Sequence, residues 1–146
     1  MTTPWQRYEA DLQREDFSRD PAQEHAVQQL QDLYERLLAQ RRERHGGLVG
    51  WLRWLRGQRR EPVTGLYLWG GVGRGKTYLV DTFYDCLPFQ QKMRVHFHRF
   101  MRRVHADLKA LEGQKNPLEK VADKLAGEAR VLCFDEFYVS DIADAM

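Results

Sequence analysis

The sequence is short of several features that mark specialised classes of protein. Two of its 146 residues are cysteines, Cys86 and Cys133, and they lack the close spacing of a zinc site or a redox pair. We therefore expect buried, reduced thiols rather than a disulfide framework. Lysine and arginine total 23 against 21 acidic residues, a formal net charge of +2, which argues against a dedicated nucleic-acid-binding domain.

Long apolar runs are also missing. No window approaches the roughly eighteen consecutive apolar residues of a membrane-spanning helix, and the first twenty residues hold no apolar stretch suited to a signal peptide. A soluble, cytoplasmic protein is the resulting expectation. The composition is otherwise an ordinary globular mixture, 42% hydrophobic and 30% charged, which excludes full disorder, collagen and a coiled-coil rod.

Residues 1–62 are predicted to form a helical segment that opens with a polar, acidic entry. Asp20 and Pro21 suit the N-cap and the first position of a helix, and Gln23 occupies the capping-box position. Apolar residues then recur at steps of three and four, which predicts a helix to about Arg44 that stops near Gly46. Its apolar face comprises Ala22, Ala26, Val27, Leu30, Leu33, Tyr34, Leu37 and Leu38.

A basic stretch extends from Arg41 to Arg60. It carries seven arginines against one acidic residue, Glu43, with apolar side chains embedded among them at Trp51, Leu52, Trp54 and Leu55. Such a stretch is typical of a surface linker or hairpin whose tryptophans pack on a neighbouring domain, or of a segment that contacts a membrane surface or a partner. We favour the linker, and we rank nucleic-acid contact below both alternatives.

From residue 63 onward, strands alternate with helices in the predicted order. The predicted strands are Gly65–Gly70, Arg94–Phe100 and Arg130–Glu136. The predicted helices are Lys76–Leu87, Phe100–Leu111, a helix from a capping box at Asn116–Glu119 to Gly127, and a last helix that begins at Ser140. This order is typical of an α/β fold with a parallel sheet flanked by helices.

The glycine-rich segment at residues 70–77 fits the phosphate-binding pattern G-x-x-x-x-G-K-[ST] and lies between a predicted strand and a predicted helix. Its glycines let the backbone curl around a phosphate, and the amides at the helix start point toward that anion. Lys76 is expected to reach the β- and γ-phosphates, and the Thr77 hydroxyl to bind Mg²⁺. The candidate nucleotide-binding residues are Gly70, Gly71, Val72, Gly73, Arg74, Gly75, Lys76, Thr77 and Tyr78.

Two carboxylates, Asp135 and Glu136, close the third predicted strand. A carboxylate at the C-terminal end of a parallel strand faces the ligand crevice, so Asp135 is expected to hold Mg²⁺ directly or through water. Glu136 suits a general base that deprotonates an attacking water, which predicts hydrolysis; with Lys76 it forms the predicted catalytic pair. His96 and His98 are expected to share a strand face and to pack rather than bind metal.

The sequence resembles the ZapE family of AAA+-like ATPases of bacterial cell division, which has AFG-like mitochondrial relatives. The residues that carry the resemblance are Gly65–Thr77, His96–Met101, Leu132–Phe137 and Ser140–Met146. The resemblance implies a P-loop NTPase fold, ATP with Mg²⁺ as the ligand, and work at the division site that destabilises FtsZ polymers. It also implies that Gln23 lies near the adenine and that subunits assemble into a homo-oligomer.

Members of that family continue beyond residue 146, into a sensor strand, an arginine finger and a C-terminal lid. The family fold implies that a further strand lies between the glycine-loop strand and the Asp135 strand. We therefore expect residues 63–146 to be an incomplete P-loop domain with open sheet edges, low stability and little turnover. The alternatives are a complete small domain and, for function, an ATP-gated adaptor that scarcely hydrolyses.

Overall fold

The computed structural model describes residues 1–45, 47–56, 62–69, 74–135 and 137. The chain divides into two compact units, Met1–Cys86 and Leu87–Met146. The predicted helix from Ser140 lies outside the described residues, as do Glu136 and Gly70–Gly73 of the predicted site. None of the helices in the described part of the chain combines the length and the apolar content needed to cross a membrane.

The first unit is helical, and it begins with a helix where a polar entry was predicted. Its elements are α1 (Pro4–Asp11), α2 (Pro21–His45), α3 (Gly47–Leu55) and α4 (Arg74–Cys86). Thr3 caps α1: its Oγ1 accepts a hydrogen bond from the Gln6 amide at 3.2 Å, and the Gln6 side chain accepts one from the Thr3 amide at 3.1 Å. This reciprocal capping box, with Pro4 at the first helical position, stabilises a helix of two turns.

Helix α2 confirms the prediction of a long helix with one apolar face. Asp20 caps it, because Asp20 Oδ1 accepts a hydrogen bond from the Ala22 amide at 2.9 Å. The face packs against α1 and α4, and such burial contributes about 1.5–3 kcal/mol for each large apolar side chain. The buried side chains of this core are Tyr8, Val27, Leu30, Leu33, Tyr34, Leu37, Leu79 and Phe83.

The basic stretch differs from the favoured prediction of a linker or hairpin. Residues Gly47–Leu55 form the regular helix α3. Trp51, one of the tryptophans predicted to pack on a neighbouring domain, is 56% exposed. The spacing of the apolar residues supports a helix, whereas the density of arginine had suggested an irregular surface segment.

The strand predicted at Gly65–Gly70 is wrong over its described residues, since 62–69 adopt no regular secondary structure. Leu66, Tyr67 and Trp69 are exposed, with Trp69 at 84%. A strand requires a neighbour that accepts and donates its backbone hydrogen bonds. An apolar run satisfies the sequence pattern of a buried strand without supplying that neighbour, and in the described residues β-pairing joins two other segments.

The second unit contains the parallel pair of strands that the alternation of elements predicted. Its elements are β1 (Lys92–His96), α5 (Phe97–Ala110), α6 (Pro117–Glu128) and β2 (Val131–Asp135). The strands pair in parallel register, from Lys92 opposite Val131 to His96 opposite Asp135. Helices α5 and α6 pack against each other and form the connection that parallel strands require.

The first strand of this pair ends earlier than predicted. Strand β1 stops at His96, and Phe97 begins α5, so His96 and His98 do not share a strand face. The Phe97 and Phe100 rings pack on Phe134 of β2, with ring centroids 5.8 and 4.7 Å apart. The alternation around residue 97 fits a strand, but the spacing of Phe97, Phe100 and Val104 fits a helix that covers the sheet.

Helix α6 forms as predicted, but without the predicted capping box. Asn116 adopts the left-handed conformation, with φ at 52°, and its side chain makes no capping hydrogen bond. A side-chain cap normally needs an extended N-cap residue, which explains the failure of the pattern at this position. Pro117 occupies the first helical turn, and its fixed φ suits that place.

Candidate functional site

The lysine and the threonine of the glycine-rich motif lie in the first turn of α4. The helix begins at Arg74, so the backbone amides of Gly75, Lys76 and Thr77 have no carbonyl partner within α4. The same end of the helix carries the positive pole of its dipole, which favours an anion there. Thr77 is exposed and Lys76 is partly exposed, so both side chains are placed to meet a ligand from solvent.

Gly75 lies against α2. A Cβ added at Gly75 would lie 3.2 Å from Gln23 Nε2, a spacing at which the amide would have to yield. The absence of a side chain at Gly75 therefore lets the Gln23 amide approach the motif closely. Sequence reasoning offered two roles for Gln23, a cap and a contact near the adenine, and the structure brings it beside a motif residue. The adenine contact stays a prediction.

Tyr78 connects α4 with the N-terminal part of the unit. Its hydroxyl donates a hydrogen bond to Asp11 Oδ2 at 2.5 Å, and its ring lies 5.1 Å from that of Phe17, centroid to centroid. Burial, together with the bond to Asp11, raises the pKa of Tyr78 to about 12. Because the side chain already contacts Asp11 and Phe17, only the backbone of Tyr78 is expected to contact a nucleotide.

Asp135 ends β2, at the position predicted for a metal ligand, and is ion-paired with Arg94. Arg94 Nε and Nη2 donate to Asp135 Oδ2 at 3.0 and 2.9 Å. Arg94 lies opposite Cys133 in the parallel register, and Asp135 follows Cys133 by two residues on the same face. Sequence reasoning missed Arg94, because its proximity to Asp135 follows from strand register rather than from any spacing along the chain.

The two cysteines are not candidates for a nucleophile or a metal ligand at this site. Both are buried, and neither takes part in a disulfide, as predicted. The pKa of the Cys133 thiol is raised to about 11, mainly by burial; Arg94 opposes the shift and Asp135 adds to it. A neutral, buried thiol is a poor nucleophile and a poor metal ligand. In the described part of the chain, no group of three or more histidine, cysteine or acidic side chains is arranged to hold a metal ion.

A comparison with protein families adds an independent finding. The model of the AFG1-like ATPase family matches residues 2–146. The chain belongs to this family. The resemblance to the ZapE family noted from the sequence is thereby confirmed, and ATPase activity is the property that the family name records.

Individual relatives agree with the AFG1-like assignment. The cell division protein ZapE of Escherichia coli K12 is 49% identical over 150 residues, covering 99% of this chain and 40% of that protein. A protein of Schizosaccharomyces pombe is 33% identical over 173 residues, covering 99% of this chain and 38% of its own length. The Lactation elevated protein 1 homolog B of Danio rerio is 43% identical over 96 residues, covering 58% of this chain and 19% of its own. The chain thus spans about two fifths of the E. coli protein, and no solved structure matches it.

Each unit of this AFG1-like chain carries residues of the kind that bind a magnesium nucleotide. The amides at the start of α4, which have no carbonyl partner within the helix, and the ammonium of Lys76 suit phosphate oxygens, and the Gln23 amide approaches Gly75 closely. The Thr77 hydroxyl and the Asp135 carboxylate are oxygen donors of the kind that Mg²⁺ prefers. Asp135 Oδ1 accepts no hydrogen bond from a described residue, so one carboxylate oxygen is unoccupied by described partners. Lys76 and Thr77 belong to the first unit, and Asp135 to the second.

Proposed function

We propose that this chain binds ATP with Mg²⁺ and forms part of an ATPase that couples hydrolysis to a change in a protein partner. The observation that carries the proposal is the start of α4. There Gly75, Lys76 and Thr77 combine amides that have no carbonyl partner within α4, a cation and a hydroxyl in one turn, with Gln23 against the glycine. Anions bind at such helix starts because amide dipoles and the helix dipole act together.

Each candidate residue has a distinct role in the proposed site. The amides of residues 71–77 bind the phosphates, and Lys76 places its charge at the β- and γ-phosphates, where it stabilises charge that develops during transfer. Thr77 and Asp135 hold the Mg²⁺, which when bound neutralises phosphate charge. Glu136 accepts the proton of the attacking water, which makes the reaction hydrolysis.

The P-loop fold belongs to the same proposal. Residues 63–146 are assigned to a partial P-loop domain, and residues 1–62 to a helical segment that precedes it. What supports the assignment is the parallel pairing of β1 with β2, joined by α5 and α6, together with the position of Asp135 at the C-terminal end of its strand. Ligands of open parallel sheets bind at that end.

A role in cell division is the proposed biological context. It is supported by the name of the E. coli relative, a cell division protein. Destabilisation of FtsZ polymers in the presence of ATP rests on the resemblance alone. We expect sedimentation of FtsZ polymers to decrease when the chain and ATP are both added, and to remain unchanged when Lys76→Ala replaces the chain.

Calorimetric titration with MgATP tests the nucleotide site directly. We expect Lys76→Ala to weaken binding at least about tenfold, because a charge-assisted contact to phosphate is lost. Lys109→Ala, at an exposed position on α5, is the matched control and should bind as the wild type does. Absence of heat in the wild type with every magnesium nucleoside triphosphate would contradict the proposal.

Phosphate release separates the ATPase from an ATP-gated adaptor. Glu136→Gln should still bind MgATP in the titration but should release no phosphate above the buffer rate, since the proposed base is gone. Strong turnover by Glu136→Gln would refute the role of Glu136. Wild-type binding with negligible phosphate release, both with and without a partner, would favour the adaptor.

A further inference from the structure

Helix α3 presents an apolar stripe to solvent. The stripe follows the spacing i, i+3, i+4 and i+7, and it consists of Leu48, Trp51, Leu52 and Leu55. This spacing places the four side chains within an arc of about 100° on one face of the helix. The four residues are, in that order, 70, 56, 41 and 54% exposed. The same spacing in α2 produces the buried core of the first unit, whereas in α3 a core-like face is left partly exposed by the described residues.

Basic residues flank α3 in the sequence. The sequence from Arg41 to Arg60 holds seven arginines and one acidic residue. Arg42 and Arg56, which flank α3, are exposed. A short helix with an apolar face containing tryptophan, set among cations, has the composition of helices that lie in the interface of a membrane with anionic lipids.

We propose that α3 is a membrane-surface helix that inserts Leu48, Trp51, Leu52 and Leu55 among the acyl chains of an anionic bilayer while flanking arginines contact lipid phosphates. The charge of the segment decides between this occupant and a protein groove. Arg42 and Arg56 are exposed and flank α3 in the sequence, which suits a plane of anionic headgroups, and each basic residue near such a surface adds to the attraction. With nine residues α3 is far too short to span a bilayer, so attachment is to one face.

This inference does not depend on the proposed ATPase activity. The helix is separate in sequence from the glycine-rich motif, and the expected binding to lipid requires no nucleotide. Failure of ATP binding would therefore leave the membrane proposal standing, and failure of membrane binding would leave the nucleotide site standing.

Co-sedimentation of the whole chain with vesicles tests the proposal. The vesicles are phosphatidylcholine alone or phosphatidylcholine mixed with phosphatidylserine, and the partition coefficient is measured at low and high salt. We expect the wild type to bind the anionic vesicles about tenfold more tightly than the neutral ones. Higher salt should reduce that difference, because it screens the arginines.

Paired variants assign the binding to α3. Leu48→Gln should lower the partition coefficient about fivefold, and the double variant Leu48→Gln with Leu52→Gln further, because apolar area leaves the interface. Leu118 is 63% exposed on α6, so Leu118→Gln is the matched control and should leave binding unchanged.

A second pair of variants tests the role of charge. Arg42→Glu with Arg56→Glu should abolish the preference for anionic vesicles, whereas Arg102→Glu on α5 should not. Circular dichroism confirms that each variant remains folded.

Three results would overturn the proposal. The first is a wild type that does not bind anionic vesicles. The second is equal loss of binding by Leu48→Gln and Leu118→Gln. The third is association with duplex DNA, or with a second copy of the chain in sedimentation velocity, that is lost in Leu48→Gln while vesicle binding is absent.

Discussion

At the residue scale, the ion pair between Arg94 and Asp135 has a direct energetic consequence. Both side chains are partly buried, and two hydrogen bonds join them. Removing one member of such a pair leaves the other with a desolvated charge and no compensating contact. The pair therefore fixes the orientation of the carboxylate at the end of β2.

We expect Arg94→Ala to lower the free energy of unfolding by about 1–2 kcal/mol, the usual cost of losing hydrogen bonds to a partly buried charge. Urea denaturation measures the change. Arg102→Ala, at an exposed position on α5, serves as the control and should change stability by less than about 0.5 kcal/mol. Equal effects of the two substitutions would show that the pair with Asp135 adds nothing to stability.

Tyr78 makes stability depend on alkaline pH. Burial and the bond to Asp11 raise its pKa from 10.0 to about 12, so the folded chain holds the phenolic proton more tightly than the unfolded chain does. This contribution is fully present below pH 10 and is lost as the pH rises toward about 12. The proton of Tyr78 is thus part of what keeps α4 attached to α1.

Tyr78→Phe removes both the hydrogen bond and its titration. We expect the variant to be about 1 kcal/mol less stable than the wild type at neutral pH. The gap should close between about pH 10 and 12, because the wild type loses the contribution of Tyr78 over that range. Denaturant titrations at several pH values measure the gap between the two free energies of unfolding. A gap that stays constant with pH would contradict the assignment.

The residues of the candidate site differ in how far the sequence could reveal them. Lys76, Thr77 and Asp135 are candidates that the sequence alone can name, because their types and spacing follow directly from phosphate and metal chemistry. Arg94 is not, since its contact with Asp135 needs the register of two strands that lie far apart in the chain. Tyr78 was predicted to bind the nucleotide only because it follows Thr77 in the motif, and its side chain is hydrogen-bonded to Asp11.

At the element scale, Asn116 decides how α6 starts. Its left-handed φ of 52° is tolerated by asparagine and glycine but costs other residues about 1–2 kcal/mol. We expect Asn116→Ala to destabilise the chain by about 1 kcal/mol, and Asn116→Gly to be neutral or slightly stabilising. Chemical denaturation distinguishes the two. If alanine and glycine behave alike at this position, backbone strain is not the reason for asparagine.

Elements were predictable where local signals and tertiary contacts agree. Helix α2 has a cap, a regular apolar face and two helices to pack on, and it forms as expected. Helix α1 also has local signals for a helix, namely a threonine cap, a proline and a glutamine three residues after the cap. It was not predicted, because the stretch is polar and lacks a long apolar face. The boundary between β1 and α5 was misplaced because a few residues near Phe97 satisfy both periodicities.

At the scale of the whole molecule, the alternation of strands and helices predicted a parallel sheet, and β1 and β2 form one. The residues at 65–69 show the limit of that reasoning. Their apolar run indicates a strand, but strand formation depends on a hydrogen-bonding neighbour that local sequence does not specify. The family was predictable because several motifs in a fixed order identify it more securely than any one element.

The exposed indoles of Trp51 and Trp69 give the molecule two natural optical probes. Trp69 directly precedes the glycine-rich loop, and Trp51 lies on the outward stripe of α3. An indole in water emits at longer wavelength than one in an apolar medium, so each ligand should shift the emission of its own tryptophan. The chain has four tryptophans, so Trp5→Phe and Trp54→Phe are made first. In that background Trp51→Phe leaves the indole beside the loop, and Trp69→Phe leaves the one on α3, so that events at the two places can be followed separately.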